Sequence, residues 1–122
     1  MKIKGIGFVA TPVTDMTQAR AFYEDVLGLK VAEEMMGGKW VEYVVGDDTL
    51  AIANISDTWE PSDQGTSAAF EVENFDDAIK RLRDRQVRFA AEPFETPCCY
   101  MAVVQDPDGN KLKSDNEKGI CS

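Results

Sequence analysis

No histidine occurs in the 122 residues of the chain. That absence removes the imidazole, which is both the usual general base near neutral pH and the commonest transition-metal ligand. Basic side chains are scarce as well: 13 lysines and arginines stand against 22 aspartates and glutamates, a net charge of -9. Such a surface repels phosphate backbones, so nucleic-acid binding is not expected. The one basic cluster, Lys80, Arg81, Arg83 and Arg85, is interleaved with Asp76, Asp77 and Asp84 and reads as the solvated face of a helix. No apolar run approaches the roughly 20 residues that span a bilayer, and Met1 to Gly5 lacks a secretory apolar stretch, so no membrane partner and a cytoplasmic location are expected. Cysteine is limited to Cys98, Cys99 and Cys121, an odd number, and neighbouring cysteines seldom bridge each other, so reduced thiols are the expectation.

What is present suggests one compact α+β domain over 1–118, with 119–122 as a flexible tail and flexibility expected from Asp115 onward. Asp15-Met16-Thr17-Gln18 has the form of a capping box, followed by Ala19, Phe22, Tyr23, Val26 and Leu27 on one helical face, with Gly28 as the stop. A second helix follows Asn74, with Phe75, Ala78, Ile79 and Leu82 as its apolar face. Strand-like runs occupy 2–13, 29–35, 40–45, 49–54, 66–72, 87–91, 98–105 and 111–114. Asp106-Pro107-Asp108-Gly109-Asn110 is a strong turn signal between the last two. Ile55 to Gly65 reads as a linker.

The layout repeats. Val13 to Ala19 corresponds to Val72 to Ala78 at a constant offset of 59, and each half reads strand, helix, then three strands. An internal duplication of a βαβββ unit, 1–54 and 66–116, accounts for the pattern. A half of this size cannot cover both faces of its own sheet, so the halves are expected to pack as curved mixed sheets around a cleft, with helices outside.

These blocks resemble the vicinal oxygen chelate superfamily, the group that contains glyoxalase I, extradiol dioxygenases and the bleomycin-resistance proteins. The resemblance rests on Val13-Thr14-Asp15-Met16, Ala19, Phe22-Tyr23, Val26-Leu27-Gly28-Leu29, Phe70-Glu71-Val72, and Asp106 to Asn110. It covers the chain to about Ser114. It implies that the metal enzymes' four ligand positions fall on Phe8, at or near Leu50, on Ser67 and on Lys113. None of these is a usual ligand, and a lysine ammonium repels a divalent cation. The resemblance therefore implies a metal-free, cofactor-free member of the bleomycin-resistance type, a homodimer that binds a small molecule. The acidic surround is consistent with a cationic ligand, and aromatic residues with a flat one.

Strand alternation supplies the expected lining. Phe8 and Ala10 face the cleft while Val9 and Thr11 face the helices; Ser67, Ala69 and Glu71 face it in the second half. Leu50 and Ile52 are placed there by the same parity, with Trp40, Glu42, Trp59, Cys99, Met101 and Lys113 as further contacts; Tyr43 and Tyr100 are candidates for stacking on a flat ligand. No residue is assigned a catalytic role. Cys98 or Cys99 as a nucleophile needs a base, and only Lys113 offers itself; Glu42 and Glu71 as paired carboxylates compete with a solvent-facing reading. The alternative is a lyase, isomerase or other small-molecule enzyme of the same superfamily with a rearranged site.

Overall fold

The computed structural model describes residues 1–117, with the side chain of Glu117 left aside. The chain divides into two compact units, Met1–Pro61 and Ser62–Ser122.

The first unit contains β1 (Val9–Pro12), α1 (Met16–Arg20), β2 (Lys30–Met35), β3 (Trp40–Val45) and β4 (Asp48–Ala53). The sheet order is β1-β4-β3-β2, with β1 parallel to β4 and the other pairs antiparallel. The second unit contains β5 (Ala69–Glu71), α2 (Phe75–Asp84), β6 (Arg88–Glu95), β7 (Cys99–Gln105) and β8 (Lys111–Glu117). Its order is β5-β8-β7-β6, the same topology one repeat later. The helix caps repeat too. Asp15 accepts a hydrogen bond from the Gln18 amide at 3.0 Å, and Asn74 accepts one from the Asp77 amide at 3.0 Å. Each side chain occupies one of the amide donors that a helix start leaves unpaired.

Beyond Arg20 the first helix continues as a π-helical stretch, Ala21–Val26, rather than the regular α-helix its apolar spacing suggests. The Leu27 N–H donates to the Phe22 carbonyl, closing the wider turn, and Gly28 then ends it at φ +76°. Phe22 and Tyr23 are both buried, and Tyr23 stacks on Tyr43 of β3 at a centroid distance of 6.1 Å. Beside that stack, Glu24 accepts hydrogen bonds from Arg20 Nε at 2.6 Å and from the Tyr43 hydroxyl at 2.8 Å. Arg20 also pairs with Glu34 of β2. Val41, Tyr43, Leu50 and Ile52 complete this core.

In the second unit, Ile79 and Leu82 of α2 are buried, as are Ala102, Val104, Leu112 and Ser114 of β7 and β8. The turn joining β7 to β8 is held by a buried carboxylate. Asp106, 1% exposed, accepts from the amides of Asp108 and Asn110 and from the Asn110 side-chain amide. Gly109 sits at φ +88°, a conformation an L side chain resists. The Asn110 carbonyl oxygen of the side chain accepts the Ser62 amide at 3.1 Å, which ties the start of the unit to the same turn.

The differences from the sequence reading include two strand boundaries and the state of one cysteine. The first strand begins at Val9 instead of Lys2, because β4 supplies parallel partners only from Leu50 to Ala53. The final strand runs on to Glu117, so Asp115 and Asn116 are paired with Met101 and Tyr100 rather than belonging to a flexible tail. Residues 119–122 lie outside the described residues. Cys99 is a free thiol, whereas Cys98 is disulfide-bonded, which departs from the expectation of reduced cysteines. Cys121 lies outside the described residues.

Candidate ligand-binding faces

Each sheet has one face packed by its helix and one that its own unit leaves open. Register assigns the residues to each. In the first unit Val9 is partnered with Leu50 and Thr11 with Ile52, while Tyr43 pairs with Leu50 and Val41 with Ile52. Tyr43 touches Tyr23 and Glu24 of the first helix, so all of these lie on the helix side. Leu50 and Ile52, expected on the open face, are therefore core residues, at 3% and 0% exposure. The error is one of register: a shift of one residue moves a strand's whole set to the other face. Ala51 and Ala53, opposite Ala10 and Pro12, point to the other face, where they too are buried, at 0% and 1% exposure.

Ala10 pairs with Ala51, Glu42 with Ala51 and Trp40 with Ala53. Phe8, 51% exposed, meets Trp40 edge-to-face at 5.6 Å, and Trp40 Nε1 donates to Glu42 at 2.9 Å. The structure thus brings Phe8, Ala10, Trp40 and Glu42 together. Trp59 is 37% exposed in the segment after β4.

In the second unit Ala69 is partnered with Lys113 and Glu71 with Asp115; across β8, Lys113 faces Val103 and Asp115 faces Met101. Cys99 falls on the same alternation as Met101. None of these belongs to the buried set packed with α2. Lys113 Nζ donates to Ser67 Oγ at 3.3 Å, which places both on this face. Here Ser67, Ala69, Glu71, Cys99, Met101 and Lys113 share one side. Phe94 of β6, paired with Met101, also lies there and was not singled out from sequence; only the β6–β7 register reveals it.

Tyr100 points the other way, as its partner Phe75 at 6.0 Å on α2 shows. These two rings, with Glu73, Asn74, Asp76 and Asn116, line a recess of about 340 Å³ at the start of α2.

The four positions that the resemblance assigns to metal ligands do not fit a divalent cation. Phe8 packs on Trp40, Leu50 is core, and the remaining pair is a hydroxyl bonded to an ammonium. No group of three or more Cys, Asp or Glu side chains suited to holding a metal ion occurs among the described residues. Two carboxylates on the open faces, Glu42 and Glu71, sit in different units, so neither unit presents them as a pair.

Comparison with known proteins converges on one family. The family model described as Glyoxalase/Bleomycin resistance protein/Dioxygenase superfamily matches residues 5–113. No curated protein matches the sequence. Among solved structures, TnmS3, an antibiotic binding protein from Streptomyces sp. CB03234, superposes with a TM-score of 0.80 at 25% identity, covering 97% of this chain and 99% of that one. A glyoxalase/dioxygenase from Nostoc punctiforme superposes at 0.79 with 21% identity, covering 93% and 91%. A lactoylglutathione lyase from Agrobacterium tumefaciens gives 0.76 at 20% identity, covering 94% and 95%.

Proposed function

The chain belongs to the glyoxalase/bleomycin resistance protein/dioxygenase superfamily, and from that premise we propose that it is a metal-independent binding protein for a small, largely apolar molecule. The observation that carries the reading is the chemistry of the open faces. They offer an edge-to-face aromatic pair, Phe8 and Trp40, with Met101 and small alanines, where the family's metal enzymes need oxygen and nitrogen donors. The superposition on an antibiotic-binding protein supports the same class of ligand.

Affinity in this reading comes from apolar burial, about 25 cal/mol per Å² removed from water. Orientation comes from a few polar groups, among them Ser67, Glu71 and Lys113. Each working unit is a homodimer in the cytoplasm, and neither metal nor cofactor takes part. The net charge of -9 enriches cations near the surface, though salt confines that influence to about 8 Å at physiological ionic strength.

Two measurements test the proposal. Titration with the neutral fluorophore N-phenyl-1-naphthylamine, followed by quenching of the two tryptophans, is expected to saturate and to be indifferent to EDTA. Native mass spectrometry with zinc, nickel and manganese is expected to find a dimer without stoichiometric metal. One metal ion per chain, or probe binding abolished by EDTA, would move a rearranged enzyme site ahead.

A further inference from the structure

The open face of the second sheet is sorted by charge. Lys111 of β8 is paired with Gln105, which is paired in turn with Arg88 of β6. Two residues along, Lys113 is followed by Val103 and Ala91; two further, Asp115 by Met101 and Phe94. Glu71 lies beside Asp115. The face therefore carries basic side chains in its first row, Lys113 beside the apolar Val103 and Ala91 in its second, and the acidic Glu71 and Asp115 beside Met101 and Phe94 in its third. This happens in a chain where acids outnumber bases 22 to 13.

The basic side chains lack the partners such a chain could easily supply. Arg20, Lys80 and Arg83 make ion pairs, whereas among the described residues none is made by Lys113, Lys111 or Arg88. Lys113 and Lys111 are both half-buried, and Lys113 gives its one hydrogen bond to a neutral hydroxyl, Ser67. A half-buried ammonium has three protons to place and gains most from a charged acceptor. Ser67 holds it in position without neutralising it.

We propose that this face binds a flat apolar molecule carrying an oxyanion (a carboxylate, phenolate or sulfonate), with the oxyanion on Lys113. This deepens the binding-protein reading and rests on it. The apolar body lies over Val103, Met101 and Phe94, while Lys111 and Arg88 add to the local positive potential. Contact at a few ångströms outweighs the protein's net negative charge, because distant surface charges are screened and a hydrogen-bonded neighbour is not. One charge-assisted hydrogen bond corresponds to about 10- to 100-fold in affinity.

A matched pair of probes tests the anchor: 1-anilinonaphthalene-8-sulfonate, which carries the anion, and N-phenyl-1-naphthylamine, which does not. The wild-type chain is expected to favour the sulfonate over the neutral probe. Lys113→Met should cut that preference at least tenfold and leave the neutral probe's affinity within about twofold. Lys113→Arg should keep most of it, and Lys80→Met on α2 should change nothing. Near-ultraviolet circular dichroism of each variant verifies the native packing. A preference that survives Lys113→Met, or that Lys80→Met reduces as much, overturns the anchor. Saturable binding of the neutral probe with no preference for the sulfonate overturns the anchor and leaves the binding-protein reading standing. Failure of both probes to bind overturns both.

Discussion

The Tyr43 hydroxyl donates to Glu24 Oε2 at 2.8 Å, so the first helix and β3 are joined by a polar contact inside an aromatic core. Burial and the Glu24 carboxylate both push the Tyr43 phenol well above its ordinary value, so it remains a donor at any working pH. Tyr43→Phe keeps the ring and its stack on Tyr23 and removes one hydrogen bond. Glu24 retains Arg20, so no carboxylate is orphaned. We expect a loss of about 1 kcal/mol, read as a fall of roughly 3–6 °C in Tm. An unchanged Tm would mean that the contact contributes nothing net.

Glu24 has a pH signature. Partial burial raises its pKa, but the hydrogen bonds from Arg20 and Tyr43 outweigh that and hold it below its ordinary 4.5. A carboxylate whose folded value is depressed contributes stability above its unfolded value, and that contribution is lost as pH falls through the folded value. The wild type is therefore expected to lose stability below about pH 4.5 more steeply than Glu24→Gln, which should be less stable near neutrality. Thermal melts from about pH 3 to 7 decide it; parallel curves would remove Glu24 from the acid response.

Asp106 is the most exacting polar residue of the second unit. Three donors depend on its carboxylate, and it is 1% exposed. Asp106→Ala leaves those donors facing a buried void, and a loss of about 2–4 kcal/mol is expected from denaturant titration. Asp106→Asn, which keeps an acceptor, should lose less. Equal losses would mean that shape alone matters at the turn.

The two sides of the first sheet should respond in opposite ways. Ile52, fully buried against the helix, is expected to cost about 2–5 kcal/mol when changed to Ala. Phe8→Ala, on the open side, should shift Tm by little yet weaken binding of N-phenyl-1-naphthylamine severalfold, because it removes one half of the pair with Trp40. If Phe8→Ala destabilises as much as Ile52→Ala, that face is core.

The sequence by itself determined the repeat, the helices and their caps, because these follow from local chemistry. Asp15 and Asn74 announce their helix starts by residue type and spacing, and both caps form where expected. Gly28 and the Asp106–Asn110 turn are likewise short-range signals, and both sit where the chain reverses or stops. Absent donors at Phe8 and Lys113 were equally legible, since residue type settles what can ligate.

Only the tertiary structure decided which side of each strand meets its helix. Leu50 and Ile52 are apolar like their neighbours in a run buried on both sides, so alternation within 48–53 carries no phase; pairing with Val9, Tyr43 and Val41 sets it. The same inter-strand register brings Phe94 beside Met101 across the β6–β7 hairpin and aligns Lys111 with Arg88 of a strand further back in the chain. Hydrophobicity tells a strand that it must be covered, but hydrogen-bond register chooses the face, and that choice is made by other strands.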